Sequence, residues 1–249
     1  MTPVQKQFLK VIVPIHLLLL LFLLTFSINT TVLVSFVTSY VLIYPLSYNM
    51  YHRYWAHHQF DMAIIWQRVF AVMGLFALTG DPIGYSSTHR IHHRYSDTEL
   101  DPHSPIHGFW HAFILWMFKP KNDTRQLLNV KDLLKDDFLM WLMKHQNKVV
   151  WGVLLLAGTI SKYVLFGLLM AMVVVFFLEM CSNSFLSHWG THGPYNNYLY
   201  SYLSGSSLHV EHHTNMTKIG KNDPSRMLLL GMEKLRIIRN IRSIRNIDK

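Results

Sequence analysis

Cysteine is nearly missing from this chain. Cys181 is the only one in 249 residues, which excludes an intramolecular disulfide, a paired-cysteine zinc site and a cysteine-held iron–sulfur cluster. Charge is scarce as well. Charged residues make up 15% of the chain, against about 25% in an ordinary soluble domain. The zinc-protease pattern His-Glu-x-x-His is missing, and so are the Glu-x-x-His pairs of carboxylate-bridged helical bundles. No phosphate-cradling loop and no haem or flavin motif is present. With no internal repeat and no Gly/Ser linker, residues 1–249 read as one domain.

The apolar residues, 51% of the total, are gathered into runs. Residues 11–29 and 31–50 each approach the roughly 20 residues that a helix needs to cross a bilayer. Residues 149–186 hold a third stretch, broken at Ser161-Lys162. It is too long for one span and predicts two, over 147–161 and 163–184. Residues 69–79 are apolar but short, which suits a buried or re-entrant helix. The expected fold class is an all-α integral membrane protein with four transmembrane helices and a histidine-rich cap.

The charge pattern orients these spans. Two Lys/Arg precede the first run, 11 lie in 51–148, Lys162 stands alone and nine follow residue 183. Four spans place 22 of the 23 on one face, expected to be cytoplasmic. The net charge of +9 is thereby assigned to a lipid surface, with no nucleic acid as partner. In the tail, residues 226–247 alternate Arg236, Arg239, Arg242 and Arg245 with isoleucines. This predicts a basic amphipathic helix, lying on anionic lipid or docked on its own domain.

Histidine is the abundant residue: 15 of the 16 fall between His52 and His213. Four groups stand out. They are His52 with His57-His58, then His89-x-x-His92-His93, then His188 after the fourth run, and last His209-x-x-His212-His213. Positions i, i+3 and i+4 share one helix face, so each triplet can converge on a ligand. Imidazole suits iron, zinc, copper or nickel. Nine donors exceed one coordination sphere and imply two ions. His16, His103, His107, His111 and His145 belong to no group and read as ordinary core or surface residues. Asp97, Glu99, Asp101 and Glu211 are placed to accept the second N–H of a ligand histidine.

These boxes, above all Thr88–Pro105 (THRIHHRYSDTELDPHSP) with Gly108-Phe109-Trp110 following, resemble the membrane fatty acyl desaturases of the stearoyl-CoA desaturase type. The likeness runs over residues 40–215. It implies that His52, His57, His89, His92, His93, His188, His209, His212 and His213 hold two irons, with dioxygen as oxidant. It implies a cis double bond made in a long saturated acyl chain, in the delta-9 class. The family's water-holding Asn lies four residues before the last-span histidine. Here Ser184 has that spacing, and Asn183 is one residue further away. Ser87-Thr88 replaces the Arg-Asp of acyl-CoA members, and Gly205-Ser206-Ser207 replaces Gly-Glu-Gly, so acyl-CoA and acyl-lipid both remain open as substrate. Electrons must come from a separate donor, a b-type cytochrome or a ferredoxin with its reductase. A bacterial inner membrane or an endoplasmic reticulum would suit the chain, with the site on the cytoplasmic side. Trp55, Trp110 and Trp189 are expected to line the acyl tunnel or to anchor at the interface. A di-iron lipid hydroxylase and a metal-binding transporter are the alternatives.

Overall fold

The computed structural model describes residues 3–119, 127–186, 193–206, 208–217, 219–220 and 223–242. Nearly all of the regular structure in them is helical. Three helices are long and apolar enough to cross a membrane: Gln5–Thr25, Thr30–Ala56 and Lys162–Leu186. Leu17, Leu24 and Val34 lie exposed on the first two, a pattern that fits lipid and not water. Asn29 starts the second helix by accepting a hydrogen bond from Val32 N at 3.0 Å.

The Thr30–Ala56 and Lys162–Leu186 helices form the tightest pair. Gly167 allows it: a Cβ there would lie 2.5 Å from the Val32 carbonyl oxygen. Ser35 Oγ then donates to Val164 O at 2.8 Å.

Two expectations need correction. The third apolar segment was expected over 147–161, but its helix runs Asp137–Ile160. Asp136 caps the start by accepting from Phe138 N and Leu139 N. The early turns carry Lys144, Asn147 and Lys148, so only residues 149–160 are continuously apolar and this helix falls short of the other three as a span. Ser161 ends it in an extended conformation and caps the next helix through Tyr163 N.

The second correction concerns the tail. The helix expected over 226–247 is Pro224–Lys234. The chain then reverses and pairs Ile238–Arg239 antiparallel with Asp61–Met62. Burial of Ile238 and Ile241 against the body of the protein overrides a three-residue spacing that favours a helix only weakly, because β-branched residues sit well in a strand. Buried Arg53 anchors the segment. Its guanidinium donates to Ser225 Oγ, and to Gln59 Oε1 at 2.7 Å. The tail therefore docks on its own domain as far as residue 242. Residues 243–247 lie outside the described ones.

The short apolar segment is the Ile64–Ala77 helix, which bends by 73° into Pro82–Tyr95. Leu78 and Gly80 make the corner at positive φ, 63° and 104°. Asp81 restarts the helix by accepting from Ile83 N and Gly84 N, with Pro82 at the first helical position. This start sets the phase that aims His89, His92 and His93.

Candidate metal centre

Three separate elements deliver the imidazoles. The Thr30–Ala56 helix is not regular: Leu42–Tyr48 and Tyr51–Ala56 are wound as π-helix, with Pro45 inside the first segment. Pro45 lacks the N–H of an α-helical bond, and the wider turn absorbs the defect. The helix then ends in His52 and, just beyond it, His57. Pro82–Tyr95 brings His89, His92 and His93. The His209–Thr214 helix brings His209, His212 and His213.

Five nitrogens converge. His52 Nε2 lies 2.8 Å from His212 Nε2, and His212 Nε2 lies 2.9 Å from His93 Nε2. His93 Nε2 is 3.0 Å from His89 Nε2, which is 2.9 Å from His57 Nε2. The donor atoms of all five lie within 4.8 Å of one another. Nitrogens bound at roughly 2.0–2.1 Å to one ion, at right angles, stand about 2.9 Å apart. The spacing therefore fits a shared metal ion. Burial, before any other cause, holds His89, His93 and His212 well below the usual imidazole range and brings His57 down to about 3. The rings are thus neutral, the form that binds a metal.

A second set adjoins the first. His92 Nε2 is 3.4 Å from His213 Nε2, and the His209 and His213 rings are 4.4 Å apart. Burial also brings His213 down to about 3. Asp101 Oδ2 lies 2.9 Å from His92 Nδ1, so His92 presents Nε2 toward His213 when Nδ1 carries the proton. Burial alone would raise the Asp101 carboxyl, but His103 and His92 outweigh it and hold it below the usual carboxylate range.

The remaining residues named from the sequence are scattered. His188 and Trp189 lie outside the described residues. His58 turns away to Asp132, 2.9 Å from its Oδ2. Glu99 reaches His107 at 3.3 Å, and Asp97 donates its backbone N–H to Asp101. Glu211 Oε2 is buried without a hydrogen-bond partner among the described residues, and Glu211 is not seen bonding a ligand histidine. His16 and His145 each bond a carbonyl of their own helix. His103 was set aside, yet its ring lies 4.4 Å from that of His92, and with Asp101 the three make a second group able to hold an ion. Its place after Asp101 in the sequence was the available signal.

A cavity of about 530 Å³ opens against these histidines. His52, His89, His92, His209 and His212 form part of its wall. Trp116, Tyr44, Tyr48, Tyr85 and Tyr200 supply its aromatic lining. Trp55 is instead buried against Tyr51 and Tyr54, and Trp110 is exposed. Asn183 also lines the cavity, whereas Ser184 Oγ is turned back to the Met180 carbonyl. The π-turn Ser182–Leu186 accounts for this, because one widened turn moves the register by a residue.

This geometry is accompanied by similarity in sequence to curated fatty acid desaturases, which are oxidoreductases of lipid metabolism. The acyl-CoA C20 Delta5-desaturase of Anemone leveillei is 34% identical over 179 residues, 66% of this chain and 56% of that protein. Delta-9 acyl-lipid desaturase 1 of Arabidopsis thaliana is 31% identical over 179 residues, 66% and 57% of the two chains. The chloroplastic palmitoyl-monogalactosyldiacylglycerol delta-7 desaturase of the same plant is 31% identical over 175 residues, 66% and 47%. The chain thus spans about half the length of the curated relatives it matches. No protein-family model matches the chain.

Proposed function

We propose that this protein is a membrane fatty acyl desaturase that makes a cis double bond in a long saturated acyl chain. The observation that carries the reading is the convergence of His52, His57, His89, His93 and His212 on one point at the wall of a cavity. Five donors nearly fill one ion's sphere. His92, His209 and His213, with His188, are the donors for a second. Iron is the fitting metal, because removing hydrogen from an unactivated methylene needs dioxygen and a redox-active ion, and zinc has no redox chemistry. Asp101 holds the tautomer of His92, and Tyr85 stacks on the His89 ring at 5.4 Å. Asn183 is placed to hold a water at the wall.

The acyl carrier is CoA or a lipid; the relatives named above act on either kind. Electrons come from a separate b-type cytochrome or ferredoxin. The polypeptide crosses the membrane four times, with Asp137–Ile160 entering by its apolar half, and both termini and residues 51–148 are cytoplasmic. Reporters fused at Thr30 and at Lys249 then label opposite sides, and same-side labelling removes the four-span arrangement.

The deciding assay expresses the protein, with an electron donor, in a host unable to make unsaturated chains. New double bonds in its lipid extract are expected. Hydroxylated chains without unsaturated ones would make the protein a hydroxylase. Metal analysis after reconstitution with ferrous iron should give two irons per chain; one zinc and no iron would refute the di-iron centre.

A further inference from the structure

The cavity carries a second chemical feature that desaturation of a plain hydrocarbon does not use. Glu179 is the only acidic residue in the Lys162–Leu186 helix, and it is 9% exposed. Its Oε1 accepts hydrogen bonds from the hydroxyls of Tyr44 and Tyr200, and the Tyr48 ring lies 5.9 Å from that of Tyr44. The Tyr44 and Tyr200 hydroxyls are themselves 3.2 Å apart. Ser204 Oγ extends the set, donating to the Tyr200 carbonyl at 2.8 Å and lying 2.6 Å from Ser206 Oγ. All six residues line the cavity that His52, His89 and His212 also line. Ile83, Met117, Leu127 and Met143 supply apolar parts of the wall, and Asp81, Ser87, Thr88 and Gln146 supply further polar ones.

Withdrawing a carboxyl and several hydroxyls from water inside a membrane segment is unfavourable, and such groups usually mark a functional position. A methylene chain offers them no hydrogen bond. We infer that Glu179, with Tyr44, Tyr48 and Tyr200, binds a neutral hydroxyl group of the lipid substrate. This rests on the reading of the cavity as an acyl site. The donors and acceptors match. A carboxylate has about four acceptor positions and the two phenols occupy two, leaving room for a ligand hydroxyl. Two sources carry such a group: a hydroxylated acyl chain and a polyol headgroup.

The test measures binding without turnover, in phosphatidylcholine nanodiscs, from the shift in thermal unfolding midpoint. The probes are methyl stearate, methyl 12-hydroxystearate and 1-monostearoylglycerol. Wild type should bind a hydroxylated probe about tenfold more tightly than methyl stearate, the size of one hydrogen bond to a charged group. The probe that carries the preference identifies the source. Glu179→Gln and Tyr44→Phe should bring the preference close to unity. Where Glu179→Gln lowers the unliganded midpoint, Tyr200→Phe decides, since it removes one hydroxyl and keeps the ring. Equal affinity for all three probes in wild type, or a preference that survives in every variant, overturns the hydroxyl site and leaves the acyl reading standing. Failure of every probe to bind overturns both.

Discussion

The two halves of the Thr30–Ala56 helix differ in geometry, exposure and content. Residues 30–41 are regular α-helix, and Leu33, Val34 and Val37 point outward at 50–60% exposure. Residues 42–56 are mostly wound wider, and Tyr44, Tyr51 and Trp55 are nearly inaccessible. The first half can exchange one apolar residue for another, because lipid asks only for apolar surface. The second half must place Tyr44, Tyr48 and His52 along one cavity wall. The ring centroids of Tyr40, Tyr44 and Tyr48 step from the end of the first half into the second at 5.8 and 5.9 Å. One helix therefore contains a tolerant membrane section and an intolerant site section.

The largest effect expected from this contrast is loss of metal. His212→Ala or His93→Ala removes a nitrogen from the converging set. Iron bound per chain, measured after reconstitution, should fall by at least half, and no unsaturated product should form. Val37→Ala on the lipid side should keep wild-type iron and product. Were His103→Ala to strip iron as fully as His93→Ala, His103 would have to join the ligands, which its position beside His92 makes worth measuring.

Packing between helices comes next. In Gly167→Val the new Cβ meets the Val32 carbonyl oxygen at 2.5 Å and the Phe36 nitrogen at 2.6 Å. Backbone atoms give way poorly, so the helices must part, at a cost of about 1–3 kcal/mol or more. The unfolding midpoint in detergent should drop clearly. Gly152→Ala, with nothing within 4 Å of its Cβ, should match or exceed wild type, since Ala favours a helix interior over Gly by about 1 kcal/mol. Equal midpoints for both variants would show that the close approach at Gly167 contributes nothing to stability.

Removal of the carboxylate behind His92 should act more selectively. Asp101→Asn keeps the size of the side chain but lets its amide present a donor to Nδ1. The imidazole is then free to turn or to take the other tautomer. A loss of about 10–100-fold in metal affinity is expected for such a partner, read by competition with a chelator. Asp101→Glu should recover part of it. Unchanged affinity in Asp101→Asn would make Asp101 a structural residue of the Tyr95–His103 loop and no more.

How much of this was legible in the sequence follows from the range of the interactions. The triplets at 89–93 and 209–213 were readable because helical spacing alone brings i, i+3 and i+4 together. The first two spans and the last were readable because a bilayer demands a minimum apolar length. The third was misjudged, since a helix continues through polar residues that a hydropathy reading cuts off. The tail was misjudged because its short strand exists only through pairing with Asp61–Met62, far away in sequence. The Glu179 cluster is the extreme case. Glu179 is an acid inside an apolar run, but its partner Tyr44 lies 135 residues away, and little in the local sequence announces their meeting. A run of tyrosines four apart ahead of His52 was the one hint, and π-winding decides where such a run faces.

The smallest effect expected lies at the rim, where solvent weakens charge pairs. Arg90 donates to Asp132 at 2.7 and 2.8 Å and also to the Trp55, Ala56 and Asn129 carbonyls. It thereby ties the 127–136 segment to the end of the first histidine box. Burial would raise the Asp132 carboxyl, but hydrogen bonds from Arg90 and His58 overcome it and hold the group below the usual carboxylate range. A depressed carboxylate stabilises the fold fully above its unfolded value, near about 3.9, and loses that contribution as pH falls through and below it. Asp132 is 41% exposed, so screening keeps the contribution modest. Asp132→Asn should therefore lower the unfolding midpoint slightly at pH 7, by less than Gly167→Val does. The gap from wild type should narrow as pH falls below about 4, and it should shrink with added salt. A gap that widened on acidification would mean that the neutral acid is the stabilising form, and the ion pair with Arg90 would then not be what holds this segment.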